Sequence, residues 1–204
     1  QVNGLGSDVG HQEGDTQNQD QFDEVLQRDM LDQVIEKVVD PKSDDNPSGL
    51  NITTKNTRDT SGHTISETDA NGNVTYRLYD VNQNLRFEVM PDGAVIEHQY
   101  NLMSEKVQTI ELATRLSKDA LAKLAANIKT TKPEDFTKDI TYAKNDRYTF
   151  VVYDDDNKPA FKIDQMGRIL ETVYNQNALE IGMHRYATKI PSNIIQSWHA
   201  KPQE

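Results

Sequence analysis

The chain has 204 residues, a formal net charge of −11, 35% hydrophobic residues and no cysteine. The missing cysteines exclude disulfides, thiolate metal sites and thiol nucleophiles. The acidic balance argues against nucleic acid, whose phosphates need a Lys/Arg footprint, and against anionic membrane.

In chain order, residues 1–19 are rich in Gly, Gln and Asp, with spaced aliphatics at Val2, Leu5 and Val9. They read as a flexible N-terminal arm. Residues 20–40 read as an amphipathic helix. Asp20 stands at the N-cap, Pro41 stops the helix, and Phe22, Val25, Leu26, Met30, Val34, Ile35 and Val38 form one stripe at 3.6-residue spacing. Residues 41–62 have linker composition, with LNITT as a short edge strand. From residue 63 to 116 the pattern turns to strands, at about 73–79, 85–90, 94–100 and 105–112. Leu85, Phe87 and Val89 alternate with Arg86 and Glu88, the period-two pattern of a sheet with one wet face. Asn71-Gly72 predicts a tight hairpin turn with positive φ at both residues. Residues 117–145 read as a helical insert and loop, with Ser117 as cap. Residues 146–190 return to strands at about 147–153, 160–165, 168–174 and 179–187. Residues 191–204 read as an extended tail carrying Trp198.

The two strand-rich regions are copies. Residues 75–116 align without a gap with residues 149–190, at an offset of 74, and ten of the 42 positions are identical. Among the shared positions are Tyr79/Tyr153, Asp80/Asp154, Phe87/Phe161, Gly93/Gly167, Glu97/Glu171, Tyr100/Tyr174 and Asn101/Asn175. A shorter period sits inside. Tyr-Asp recurs 21 residues later as Tyr-Asn in each copy, and Gly72, Gly93 and Gly167 each precede a tyrosine by seven residues. The unit is therefore a hairpin: glycine, strand, Tyr-Asp or Tyr-Asn turn, strand. The fold class expected is mainly β, with stacked antiparallel hairpins, an N-terminal amphipathic helix and a helical insert between the copies.

The segments LYD(78–80), VYD(152–154), FEVMPDG(87–93), FKIDQMG(161–167), QYN(99–101) and VYN(173–175) resemble the YD repeats of Rhs and insecticidal toxin-complex proteins. So do LATRL(112–116) and YATKI(186–190). The resemblance covers roughly residues 63–190 and is strongest to large secreted YD-repeat proteins. The sequence departs from that pattern where glycine is usual, at Asn84, Lys158, Ser104 and Ala178. What the resemblance implies is a structural role in shells around toxin payloads or at cell surfaces. The segment that carries the family's self-cleavage carboxylates has no counterpart here.

The residues themselves offer little chemistry. Asp154, Asp155 and Asp156 are the strongest calcium candidates, but no D-x-[DN]-x-[DN]-G loop is complete; a solvated turn accounts for them better. Glu97 and Glu171 are products of one repeat and so are expected in equivalent environments, which suits cross-strand ion pairs, with Arg86 or Lys162, better than an acid–base pair. The tyrosines stand before turns, where each ring caps a hairpin and its hydroxyl reaches a partner; an aromatic row for sugar binding is the alternative. The expectation is a non-catalytic scaffold module, secreted or at the cell surface, without cofactor. Its partners would be further repeats or other copies of itself, not nucleic acid, and it would not insert into a membrane. A filament subunit, built by strand addition through the arm, is the second reading, and a carbohydrate- or surface-binding adhesin the third. No run approaches the ~20 apolar residues of a membrane span, and no signal-peptide pattern is present. A mature secreted chain, an excised fragment and a cytosolic protein all remain open, and the many Asn, Asp, Thr and Gly lean toward a bacterial extracellular protein.

Overall fold

A computed structural model describes residues 7–8 and 24–199. The chain is mainly β, an antiparallel meander of hairpins with a short helical insert. It divides into two compact units, residues 1–77 and 78–204. Most of the arm expected at residues 1–19, and the start of the helix expected at 20–40, lie outside the described residues.

In the first unit the strands follow chain order: β1 (Ser7–Asp8), β2 (Glu24–Arg28), β3 (Val34–Val39), β4 (Ile52–Arg58), β5 (Thr64–Thr68) and β6 (Val74–Tyr79), whose last two residues belong to the second unit. The described part of the expected helix is thus two strands. β2 and β3 pair from Glu24↔Val39 to Arg28↔Val34, around a loop that exposes Met30 and Leu31. Two local causes defeat the helical stripe. Asp29 Oδ1 accepts hydrogen bonds from the amides of Leu31 and Gln33, which closes a turn where the helix would continue. The β-branched Val34, Ile35, Val38 and Val39 then find a ladder on each side, since β3 also pairs with β4. The expected linker likewise contains β4, which is an internal strand between β3 and β5, not an edge.

The second unit holds β7 (Leu85–Val89), β8 (Val95–Tyr100), β9 (Lys106–Glu111), α1 (Lys118–Asn127), α2 (Pro133–Phe136), β10 (Arg147–Tyr153), β11 (Pro159–Asp164), β12 (Ile169–Tyr174), β13 (Glu180–Arg185) and α3 (Ser192–His199). The strands again neighbour one another in chain order, and their bounds fall within a residue or two of the sequence pattern. Ser117 caps α1, accepting from the Ala120 amide. The C-terminal tail, expected to be extended, contains α3. At the 74-residue offset α3 starts on the counterpart of the first residue of α1, so the repeat includes a helix beyond the residues whose identities reveal it.

One side of these strands forms the core. Phe87, Val89, Val95 and Ile110 are buried, and Phe87 meets Phe136 of α2 edge to face at 5.1 Å. In the second copy Phe150, Ile163 and Ile195 are buried, with Phe161, Ile169, Ile190 and Trp198 packed against them. Trp198 stands edge-on to Phe150 at 5.5 Å. Phe161, the counterpart of Phe87 in the repeat, is only half-buried.

Candidate functional site

The polar residues that attract attention in the sequence are used to hold the chain. Nine hairpin loops, beginning at Asp29, Asp59, Asp69, Asp80, Met90, Asn101, Asp154, Asp164 and Asn175, have one construction. The amide of the first residue donates to the carbonyl of the fifth, and the amide of the fourth donates to the carbonyl of the first. The fourth residue has positive φ: Asp32, Gly62, Gly72, Gln83, Gly93, Ser104, Asn157, Gly167 and Ala178. In every loop except that of Met90, the leading Asp or Asn turns its Oδ1 onto the amides of the third and fifth residues. This is a three-residue hairpin loop with a left-handed closing residue. It corrects the turn expected at Asn71-Gly72, where only Gly72 has positive φ. It also moves the expected departures: the left-handed positions are Gln83 and Asn157, not Asn84 and Lys158.

Close approach accounts for two of the four glycines at these positions. A Cβ on Gly93 would lie 2.9 Å from the Leu116 carbonyl oxygen, and one on Gly167 would lie 2.1 Å from that of Ile190. The segments after β9 and β13 fold back over these two turns, with Leu116 and Ile190 donating their amides to the Gly93 and Gly167 carbonyls at 2.8 and 2.9 Å. Here glycine answers both the φ and the close approach.

The tyrosines form a ladder. Tyr100 Oη donates to the Leu85 carbonyl at 3.0 Å, Tyr153 Oη to that of Lys106 at 3.1 Å, and Tyr174 Oη to that of Pro159 at 3.2 Å. Each acceptor is the first residue after the preceding Tyr-Asp or Tyr-Asn loop. A register shift precedes each of these tyrosines, at Gln99/Tyr100, Val152/Tyr153 and Val173/Tyr174. The bulge turns the ring back along the sheet toward its partner. Tyr79 stands at the same place before Asp80.

Two buried carboxylates fasten the insert to the first copy. Glu97 is fully buried; Arg86 donates to its Oε1 at 2.6 Å and Tyr142 Oη to its Oε2 at 2.7 Å. Burial, reinforced by the hydrogen bond and charge of Glu97, pushes the Tyr142 hydroxyl far above its ordinary range. Asp146 is also buried, and its two oxygens accept from the amides of Ala113 and Ala143, both at 2.8 Å. An unpaired buried carboxylate would be costly, so each of these specifies where the insert lies. Glu171 is half-buried and bonded to Tyr186 Oη at 2.7 Å. The environments of Glu97 and Glu171 therefore differ, against the expectation of equivalence. The ion pair expected with Arg86 is present at Glu97. Lys162 pairs in register with Leu170 and so points to the other side of the sheet from Glu171.

Two of the calcium candidates, Asp154 and Asp156, have other work. Asp154 Oδ1 holds its own loop, and Asp156 pairs with Lys158 Nζ at 3.1 Å. Among the described residues no group of three or more His, Cys, Asp or Glu is arranged to hold a metal ion. A groove of about 440 Å³ lies between the Asn101 and Asp154 loops, lined among others by Met103, Val152, Tyr153 and Trp198. Sequence reasoning missed Phe136, Tyr142, Asp146 and Ile195, because none belongs to the aligned copies.

These features define a protein built of repeated Asx-loop hairpins joined by a tyrosine ladder. No protein-family model and no curated protein matches the chain. Among solved structures it is similar to one of TcdB2-TccC3-TEV, with 13% identity and a TM-score of 0.24 over 81% of this chain and 12% of that one. A Photorhabdus luminescens Tc holotoxin pore gives 14% identity and a TM-score of 0.22 over 81% and 12%. TcdB2-TccC3-Cdc42 gives 12% and 0.23 over 83% and 12%. The chain thus spans about an eighth of the length of the proteins it matches, and the likeness is one of β-sheet structure.

Proposed function

We propose that the chain is a non-catalytic structural module of a secreted or cell-surface YD-repeat protein, a scaffold or shell element. One observation carries the reading: the conspicuous polar side chains satisfy the protein's own backbone and core. Eight loop Asp and Asn residues, three tyrosine hydroxyls and two buried carboxylates all have internal partners. A site that binds a ligand keeps such groups available. The likeness of the repeat to YD sequences supports the shell role, and the composition supports the location.

The test is to remove the ladder hydroxyls one at a time. Tyr100→Phe, Tyr153→Phe and Tyr174→Phe should each lower the unfolding free energy by about 0.5–1.5 kcal/mol, as for a net hydrogen bond. The intact chain on a glycan array should retain no sugar. Unchanged stability in all three variants, or a glycan whose retention is lost on Trp198→Ala, would replace the scaffold reading with the adhesin one.

A further inference from the structure

The hairpin loops share one construction but differ in chemistry. The sequence holds three pairs of Asn or Asp followed by glycine: Asn3-Gly4, Asn71-Gly72 and Asp92-Gly93. Such a pair is able to react with itself. The glycine amide nitrogen attacks the side-chain carbonyl carbon of the residue before it, and glycine has no side chain to shield that nitrogen. For asparagine the new N–Cγ bond closes a succinimide ring as the Cγ–Nδ2 bond breaks. The amide proton passes through solvent, and the side-chain nitrogen departs as ammonia. Water then opens the ring at either carbonyl, giving aspartate or an isoaspartate whose main chain runs through the β-carbon.

Asn3-Gly4 lies outside the described residues. The other two pairs occupy the third and fourth places of their loops, and both glycine amides donate to the carbonyl of the first residue: Gly72 to Asp69 at 3.0 Å and Gly93 to Met90 at 2.9 Å. Their surroundings differ. Gly93 is buried under Leu116, whose amide donates to its carbonyl at 2.8 Å. The Asp92 carboxylate is held by Arg115 at 2.7 Å and by the Ala94 amide at 3.0 Å, and an ionised carboxylate is the poorer electrophile. Residues 69–73 are all exposed, and a Cβ on Gly72 would meet nothing within 4 Å. That loop is closed by Asp69. Its Oδ1 accepts from the amides of Asn71 and Asn73 at 2.8 and 2.9 Å, and its Oδ2 from Asn73 Nδ2 at 2.9 Å. Asn82 and Asn177 hold the third place in other loops, but Gln83 and Ala178 follow them and bring a side chain beside the attacking nitrogen.

We propose that Asn71 is a site of spontaneous modification, and that Asp69 sets its rate. While the loop is closed the Gly72 N–H is committed to the Asp69 carbonyl, so the loop must open before the nitrogen closes on Asn71 Cγ. Aspartate at this place adds a negative charge to an exposed loop that already carries Asp69. Isoaspartate adds a methylene to the main chain between the third and fourth residues, so the loop no longer closes both of its backbone hydrogen bonds, and the β5–β6 pairing beside it, Thr68↔Val74, loosens. The proposal stands apart from the scaffold reading.

The test incubates the full chain in mildly alkaline buffer at body temperature and follows its tryptic peptide 59–77 by mass spectrometry, with fragmentation to separate Asn71 from Asn73. Among the described residues Asn71 should convert first. The urea-unfolded chain should convert faster at Asn71 than the folded one. Asp69→Ala, with its fold checked by circular dichroism, should convert about fivefold or more faster than the native chain, the size of one or two net hydrogen bonds lost from the closed loop. Asp69→Asn keeps the Oδ1 acceptor and should lie between the two; it carries the comparison if Asp69→Ala does not fold. The proposal is overturned if Asn82, Asn177 or Asp92 changes ahead of Asn71 or none changes at all. Equal rates in the folded and unfolded chains, or folded Asp69 variants that react at the native rate, would overturn it too.

Discussion

The double constraint on Gly167 makes a sharp prediction. Alanine at a left-handed residue costs roughly 1–2 kcal/mol on backbone grounds alone. At Gly72 the added Cβ meets nothing within 4 Å, so Gly72→Ala should stop there. At Gly167 the Cβ would lie 2.1 Å from the Ile190 carbonyl oxygen, so Ile190 must retreat by about 1 Å to restore van der Waals contact. That motion breaks the Ile190 amide bond to the Gly167 carbonyl, now 2.9 Å, at about a further 1 kcal/mol. It also loosens Ile190 from the core it packs against. The sum for Gly167→Ala is about 3 kcal/mol, with Gly93→Ala between the two because its contact is 2.9 Å. The opposite change should stabilise. Ala178 has φ of 62°, and Ala178→Gly should gain about 0.5 kcal/mol after the entropy of glycine is charged. Urea denaturation followed by far-UV circular dichroism and by the fluorescence of Trp198, the one tryptophan, measures all four. Equal costs for Gly72→Ala and Gly167→Ala would refute the close approach, and destabilisation by Ala178→Gly would refute the loop geometry.

Four further outcomes are expected. Phe87→Ala should cost about 3–5 kcal/mol and Phe161→Ala no more than about 2, because only Phe87 is fully buried; equal losses would contradict the asymmetry of the two copies. Burial, with the nearby Lys106 charge, lowers the pKa of His98, so the unfolded chain takes up that proton first. Its share of stability is complete above the unfolded value of about 6.5 and falls as pH drops through it toward the folded pKa; His98→Asn should flatten the urea midpoint between about pH 5 and 7, and an unchanged slope counts against it. EDTA should leave the melting temperature unmoved, and a fall of several degrees restored by calcium would reinstate Asp154, Asp155 and Asp156 as ligands. Deleting residues 1–19 removes β1 and uncovers β2, so light scattering should show larger particles; smaller ones would favour assembly through the arm.

The strands of the second unit were legible because two signals agree there. Period-two alternation marks each strand, and the 74-residue repeat checks every assignment against a second copy. Where the copies share no identities the check disappears. Residues 117–125 and 191–199 have none in common, so α3 was read as an extended tail although it occupies the place of α1. The site residues that fasten the insert were invisible for a related reason. Asp146 acts on a residue 33 positions away and Tyr142 on one 45 positions away, distances at which no local pattern operates.

The first unit shows how one substitution concealed the same architecture. Register shifts occur at Gln27/Arg28 and Thr57/Arg58, immediately before Asp29 and Asp59, as they do before the Tyr-Asx loops of the second unit. Arginine therefore stands where the Tyr-Asx hairpins have tyrosine. Its reach is different. Tyr100 Oη spans to a carbonyl of the preceding hairpin, whereas Arg28 and Arg58 turn forward and donate Nη1 to the carbonyls of Asp32 and Gly62 in their own loops, at 2.8 and 2.9 Å. Arginine stabilises the single hairpin while tyrosine joins one hairpin to the last. An Arg-Asp pair followed by a left-handed residue is thus a sequence mark of this hairpin without the ladder. At Arg28-Asp29 that mark sat within a run of apolar residues whose spacing also fitted a helix, and the loop hydrogen bonds of Asp29 decided between the two.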